Sequence, residues 1–190
     1  MFLPCSVTIG AMTSQVSKKQ RVLQGVLVLT LATPLVMHPS LFYFPFTTTK
    51  VWFFRTIILL SLLAYVFFAD KISILKPKHN MVAYAVLFFL AIYALTTINS
   101  IDVTRSFWGN YERMLGLLTM IYFVVYFILM RSIFTDAVSW RWFWRIFGGV
   151  GVVAFFLGLY QNSNPDFLLG RAFDGSYGPR ENITFGNPIY

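Results

Sequence analysis

Five apolar segments dominate the sequence, and each is long enough, or nearly so, to cross a bilayer as a helix. A hydrocarbon core about 30 Å thick requires about 17–25 apolar residues in helical conformation. We expect the two shortest segments, the first and the last, to extend into their flanks. The segments are residues 22–37, 51–68, 81–98, 114–130 and 146–160.

The composition supports the same class of protein. Hydrophobic residues make up 57% of the chain and charged residues 12%, against about 45–50% and about 25% in a typical soluble domain. A soluble domain of this composition would expose too much apolar surface. We therefore predict an all-α fold, a polytopic integral membrane helix bundle with about five spans in a lipid bilayer.

Basic residues are concentrated in alternate connections between the apolar segments. The segments before the first span, between the second and third, and between the fourth and fifth hold nine basic and two acidic residues. The remaining connections and span ends hold six basic and five acidic residues. By the positive-inside rule, residues 1–21 form a cytoplasmic N-terminal segment, residues 22–160 the membrane region, and residues 161–190 an extracytoplasmic loop.

The net charge of +8 does not indicate a nucleic-acid-binding protein, because the basic residues lie in short loops rather than along one polar face. Cys5 is the only cysteine, so an intrachain disulfide or a cysteine zinc site is excluded. His38 and His79 lie in separate loops and lack metal-ligand spacing. We predict no metal site and no cofactor.

Three polar clusters fall on the predicted extracytoplasmic side. The first is residues 47–50 together with Arg55, which lies about one turn inside the second predicted span. A guanidinium there either extends to the nearby interface or lines an anion site in the membrane. The second cluster, residues 101–116, combines charges and aromatic rings, typical either of an interfacial loop or of a headgroup or sugar site. The third is residues 161–190, either a functional loop or a disordered connector.

Two of these clusters resemble one protein family. The sequence Ser-Phe-Trp-Gly-Asn-Tyr-Glu-Arg-Met-Leu-Gly at residues 106–116 is similar to the segment after the third span of bacterial O-antigen ligase-like proteins. Arg180 followed by Thr-Phe-Gly-Asn-Pro at residues 184–188 resembles their later extracytoplasmic motif. Pro45, Phe46, Lys50 and Arg55 also fit the entry to the second span of that family.

The resemblance implies a bacterial cytoplasmic (inner) membrane glycosyltransferase of roughly a dozen spans. Such enzymes transfer glycan from a polyprenyl-diphosphate carrier to a lipid, protein or glycan acceptor on the extracytoplasmic face. It further implies diphosphate binding by Arg113 and Arg180 and, more weakly, by Arg105 and Arg55. The family's suspected base is a histidine in a large later loop, which neither His38 nor His79 matches, so no catalytic residue is assigned.

The ending of the sequence leads us to expect the N-terminal part of a longer protein, inactive by itself. Tyr190 follows a polar, turn-rich loop rather than a closing span or tail. Two alternatives remain. One is a transporter or flippase of lipid-linked sugars, which would place polar groups near the bilayer midplane. The other is a non-catalytic membrane protein of five spans.

Overall fold

The structure is a computed structural model of the 190-residue chain, and it describes residues 18–36, 45–68, 81–110 and 114–163. Every regular element in those ranges is helical, which confirms the all-α prediction for this part of the chain. The elements are α1 (Lys18–Val28), a 3₁₀ helix (Leu29–Leu35), α2 (Pro45–Phe68), α3 (Met81–Ile98), α4 (Val103–Trp108), α5 (Leu117–Ile133) and α6 (Ala137–Ser163).

Three of these helices are long and apolar enough to cross a membrane. Their apolar stretches are Thr48–Phe68 in α2, Met81–Ile98 in α3 and Ala137–Tyr160 in α6. Helix α5 is also apolar but shorter, with 17 residues. By length and composition, the part of the chain that the structure describes therefore contains three candidate membrane spans, which indicates a membrane protein.

Three helices begin earlier than hydropathy predicts, and the first of them is α1, which starts at Lys18 rather than at residue 22. Helix α2 starts at Pro45 rather than at residue 51, because proline is well suited to the first helical turn, where its missing N–H is not needed. Helix α6 starts at Ala137 rather than at residue 146. There the carboxylate of Asp136 accepts a hydrogen bond from the Ser139 backbone N–H at 3.0 Å and caps the helix.

The first predicted span is not one continuous α-helix. Its α-helical part ends at Val28, and the chain continues as a seven-residue 3₁₀ helix that contains Pro34. The Thr30 hydroxyl donates to the Tyr126 hydroxyl at 3.3 Å and joins the 3₁₀ helix to α5. With rises of about 1.5 Å per α residue and about 2.0 Å per 3₁₀ residue, the two parts together are about 30 Å long.

Helices α1, α2 and α5 form the centre of the bundle. Leu27, Ile58 and Ile133 come from these three helices and are at most 2% exposed. Helix α6 packs on the 3₁₀ helix and α1, whereas α3 contacts only α4 and α5 among the described elements. Helices α3 and α6 therefore flank the core and expose large apolar side chains such as Phe88 and Phe156, as expected of lipid-facing helices.

Successive long helices run in opposite directions, so the bundle has two ends. We call one the basic end, which consists of the start of α1, the end of α5 and the start of α6. A hydrogen bond from the Gln20 side chain to the Ile133 carbonyl joins α1 to α5 there. We call the other the α4 end: the first half of α2, the end of α3, helix α4 and the start of α5. Two hydrogen bonds connect these elements. The Arg55 side chain donates to the Thr119 hydroxyl, and the Tyr93 hydroxyl donates to the Leu115 carbonyl.

Candidate functional site

Helix α4 organises the α4 end of the bundle and was not predicted from the sequence, which indicated only an irregular link at residues 101–116. The Asp102 carboxylate accepts a hydrogen bond from the Arg105 backbone N–H at 2.9 Å and caps the helix. Gly109 ends it with a φ of 86°. An aspartate before the helix and a glycine after it are the signals that would have identified it.

Two glycines hold α4 directly against the start of α5. A Cβ added to Gly109 would lie 2.6 Å from the Gly116 backbone nitrogen, and one added to Gly116 would overlap the Phe107 carbonyl oxygen and the Gly109 nitrogen. No side chain fits between these backbones. Gly109 therefore allows the turn that ends α4, and Gly116 allows the close approach of α4 to α5.

A chain of hydrogen bonds connects α2 to the same point. An Nη atom of Arg55 donates to the Thr119 hydroxyl at 2.6 Å, and that hydroxyl donates to the Met114 carbonyl at 2.6 Å. Arg55 is 5% exposed and Thr119 is 2% exposed. The guanidinium therefore lies inside the bundle between α2 and α5, and its carbon lies 5.6 Å from the centre of the Tyr122 ring.

The charge of Arg55 has no compensating carboxylate in the part of the chain that the structure describes. The only acidic residues there are Asp102 and Asp136, which cap α4 and α6. The Nε of Arg55 is buried and makes no hydrogen bond with any residue that the structure describes, and the same holds for the Thr49 hydroxyl oxygen in the same half of α2. Buried donors are nearly always paired, so an unpaired guanidinium nitrogen here marks a place where an acceptor could bind.

The structure describes two of the four arginines predicted to bind substrate. Arg55 and Arg105 lie at the same end of the bundle, but their environments differ, because Arg55 is buried and Arg105 is exposed at the end of α4. Arg113 and Arg180 lie outside the described residues. Arg113 directly precedes Met114 in the sequence, so the chain of hydrogen bonds from Arg55 ends next to it.

The basic end has a different polar structure. The side chains of Gln20 and Gln24 both donate to the Ile133 carbonyl, at 3.0 and 3.2 Å, and so cap the end of α5. Gln24 also donates to the Ser139 hydroxyl at 2.8 Å. Hydrogen bonds from the backbone N–H and hydroxyl of Ser139 hold the pKa of Asp136 below its ordinary value. The sequence did not predict this network, because glutamines near the start of a helix are usually exposed to solvent.

Aromatic residues occur at both ends of the bundle. Trp140, Trp142 and Trp144 lie in the first two turns of α6 at the basic end. Phe107 and Trp108 lie in α4 at the opposite end, with ring centres 5.3 Å apart in an edge-to-face arrangement. The placement of aromatic residues at opposite ends of the bundle is typical of the two aromatic belts of a membrane-spanning protein.

The described residues contain no group of three His, Cys, Asp or Glu side chains that could hold a metal ion. Comparison of the chain with protein-family models, with curated proteins and with solved structures gives no match. The functional argument therefore depends on the site's own chemistry and on the motifs of the sequence.

Proposed function

We propose that this chain is part of an O-antigen ligase-like membrane glycosyltransferase, which moves glycan from a polyprenyl-diphosphate carrier to a lipid, protein or glycan acceptor. The observation that carries the proposal is Arg55. It is a guanidinium buried in an apolar spanning helix, without a carboxylate partner among the described residues, at the end where the resembling motif of residues 106–116 lies.

The chemistry of the donor explains why cations would be placed there. When glycan is transferred, the bond between its anomeric carbon and the carrier diphosphate breaks, and negative charge grows on the departing diphosphate. Fixed cationic donors stabilise this charge most where water is excluded. Guanidinium groups suit the role because they stay charged and bind phosphate oxygens through two N–H groups at once.

The arginines take different roles in this proposal. Arg113 and Arg180 contact the diphosphate, and Arg105, exposed at the end of α4, guides the carrier headgroup toward them. Arg55 adds positive charge from within the membrane and, through Thr119, fixes the Met114 carbonyl beside Arg113. The base that activates the acceptor hydroxyl is not assigned to any residue of this chain.

The proposal includes a topology of five spans with the N-terminus in the cytoplasm. Helix α1 with the 3₁₀ helix is about 30 Å long and α5 about 26 Å long, close to the hydrocarbon thickness. The described residues of the basic end include six cations and one acid, whereas the α4 end has three cations and one acid. The former composition is typical of a cytoplasmic face. The cations of the basic end are Lys18, Lys19, Arg21, Arg131, Arg141 and Arg145.

Cysteine labelling in intact cells tests this topology. In a variant without Cys5, we expect a cysteine at exposed Val103 to react with a membrane-impermeant maleimide. A cysteine at exposed Thr135 reacts only after the cells are permeabilised. The reverse pattern would place the α4 end in the cytoplasm and exclude an extracytoplasmic donor site there.

Substitution of the motif arginines tests the activity. In the complete gene product, Arg113→Ala and Arg180→Ala should each abolish glycan transfer to the acceptor without lowering the amount of protein in the membrane. Arg21→Ala, which removes an exposed cation at the basic end, is the matched control and should transfer normally. Normal transfer by both motif variants would contradict the assigned roles.

A transporter or flippase of lipid-linked sugars is the alternative, and the position of Arg55 within a spanning helix is the observation that favours it. Reconstitution separates the two functions. If the purified protein moves the carrier-linked glycan across a vesicle bilayer and forms no glycan–acceptor bond, the transport function replaces the ligase proposal.

A further inference from the structure

One face of α6 at the basic end carries two exposed arginines. Arg141 and Arg145 are both exposed and four residues apart, so their Cβ atoms are about 5–6 Å apart on the same side of the helix. Neither guanidinium makes a hydrogen bond or an ion pair with a residue that the structure describes. The one acidic residue nearby, Asp136, already accepts hydrogen bonds from Ser139.

The same side of the helix is apolar immediately beyond the arginines. Trp144, one turn after Arg141, is 59% exposed, and Val152, two turns after Arg145, is 55% exposed. Phe156, one turn further along the same side, is 61% exposed. Exposed tryptophan beside arginine, followed by aliphatic and aromatic side chains, is typical of a helix that passes from the headgroup region into the acyl chains.

We propose that this face of α6 binds an anionic phospholipid, with the headgroup phosphate between Arg141 and Arg145 and an acyl chain along Val152 and Phe156. The spacing of the arginines allows both to donate to a single phosphate group. The charge of the basic end favours an anion, because its described residues include six cations and one acid, so the net charge there is positive. A lipid fits better than a soluble anion, since only a lipid also covers the apolar side chains.

This inference does not depend on the proposed glycosyltransferase function, because it concerns the opposite end of the bundle. It assigns binding rather than catalysis to Arg141 and Arg145. It also distinguishes them from Lys18 and Arg21 of α1, which share the basic end and are equally exposed. Those two residues therefore provide a control of the same charge.

Lipid retention by the purified protein tests the proposal. The complete gene product is placed in nanodiscs of equal parts phosphatidylglycerol and phosphatidylcholine. The protein is then released from the nanodiscs in a mass spectrometer, and the lipids that stay bound to it are counted. We expect phosphatidylglycerol to be preferred about 30-fold, as two guanidiniums near an anionic headgroup should provide. The double variant Arg141→Gln, Arg145→Gln should lose that preference, and the control Lys18→Gln, Arg21→Gln should keep it within threefold.

Three results would overturn the proposal. They are an unchanged preference in the Arg141, Arg145 variant, an equal loss in both double variants, and displacement of the retained lipid by excess inorganic phosphate. The last would indicate a site for a free anion. The variant Arg141→Lys, Arg145→Lys keeps the charge and should retain at least half of the preference, so the proposal stays testable if the glutamine variant does not fold.

Discussion

The two ends of the bundle use their cations in opposite ways. At the basic end the arginines of α6 are exposed, and the buried polar side chain, Gln24, has two hydrogen-bond acceptors. At the α4 end Arg55 is buried and has one hydrogen-bonded side-chain partner, Thr119, while its Nε has none. Stability explains the first arrangement, because each buried donor there is paired. It does not explain the second.

The difference shows that a count of charges is a poor guide to the function of a membrane-protein surface. Both ends contain several basic residues, and the sequence assigns them to topology or to substrate by the side on which they fall. Burial separates them more sharply. An exposed arginine can be satisfied by water or by lipid headgroups, whereas a buried arginine needs an acceptor from the protein or from a ligand.

The largest expected effect on stability comes from removing the partner of the buried charge. Thr119→Val should lower the free energy of unfolding by about 3 kcal/mol, because it leaves a charged donor and the Met114 carbonyl unpaired in the bundle. Thr119→Ser keeps the hydroxyl and should cost less than about 1 kcal/mol. Unfolding in mixed detergent micelles measures both, and equal losses would show that the hydroxyl is not what matters.

A pair of glycine substitutions compares the packing of the two regions. Gly116→Ala should destabilise the protein by about 2 kcal/mol or more, because its Cβ would overlap the backbone of α4. Gly148→Ala in α6 meets nothing within 4 Å and should be neutral or stabilise by up to about 1 kcal/mol. A destabilising Gly148→Ala would reveal a packing partner for α6.

Loss of the paired amide at the basic end should have a smaller effect. Gln24→Ala removes hydrogen bonds to the Ile133 carbonyl and the Ser139 hydroxyl and should cost about 1–2 kcal/mol. Gln20→Ala should cost less, because Gln24 still caps the same carbonyl and Gln20 is more exposed. Detergent titration measures the free energy of unfolding of both variants. Equal values would contradict the expectation that the more buried glutamine contributes more to stability.

The smallest effect concerns pH. Hydrogen bonds from Ser139 lower the pKa of Asp136 in the folded protein, so its stabilising contribution is complete above the ordinary aspartate pKa of about 4 and is lost as the pH falls through the lowered value. Asp136→Asn retains a cap without this titration. The stability difference between wild type and Asp136→Asn, up to about 1 kcal/mol at pH 7, should shrink as the pH falls below the ordinary aspartate pKa and the folded protein takes up the proton.

Much of the fold was predictable because hydropathy identifies apolar helices well. Helix α3 has the bounds that the sequence predicts, residues 81–98, and α2 ends at the predicted Phe68. Hydropathy does not detect caps, so the predicted extension of the last segment into its flanks came without the start of α6 directly after Asp136. It also cannot distinguish α from 3₁₀ geometry, which is why the first predicted span was taken as one helix.

The candidate site was less predictable. The sequence singled out Arg55 as a candidate, because a charge in an apolar run is unusual. It could not show that Arg55 points toward α5, since that depends on the register between α2 and α5. Thr119 has no distinguishing local signal, and its role follows only from packing.

The stability of Arg55→Met tests the central claim most directly, that Arg55 is a buried cation kept for an anionic ligand rather than for stability. Methionine has a similar length, fills the same space and removes an unpaired charge. We predict that the free energy of unfolding stays equal or rises by about 1 kcal/mol, while glycan transfer per folded protein falls at least tenfold. A loss of about 3 kcal/mol or more, or normal transfer, would contradict the account.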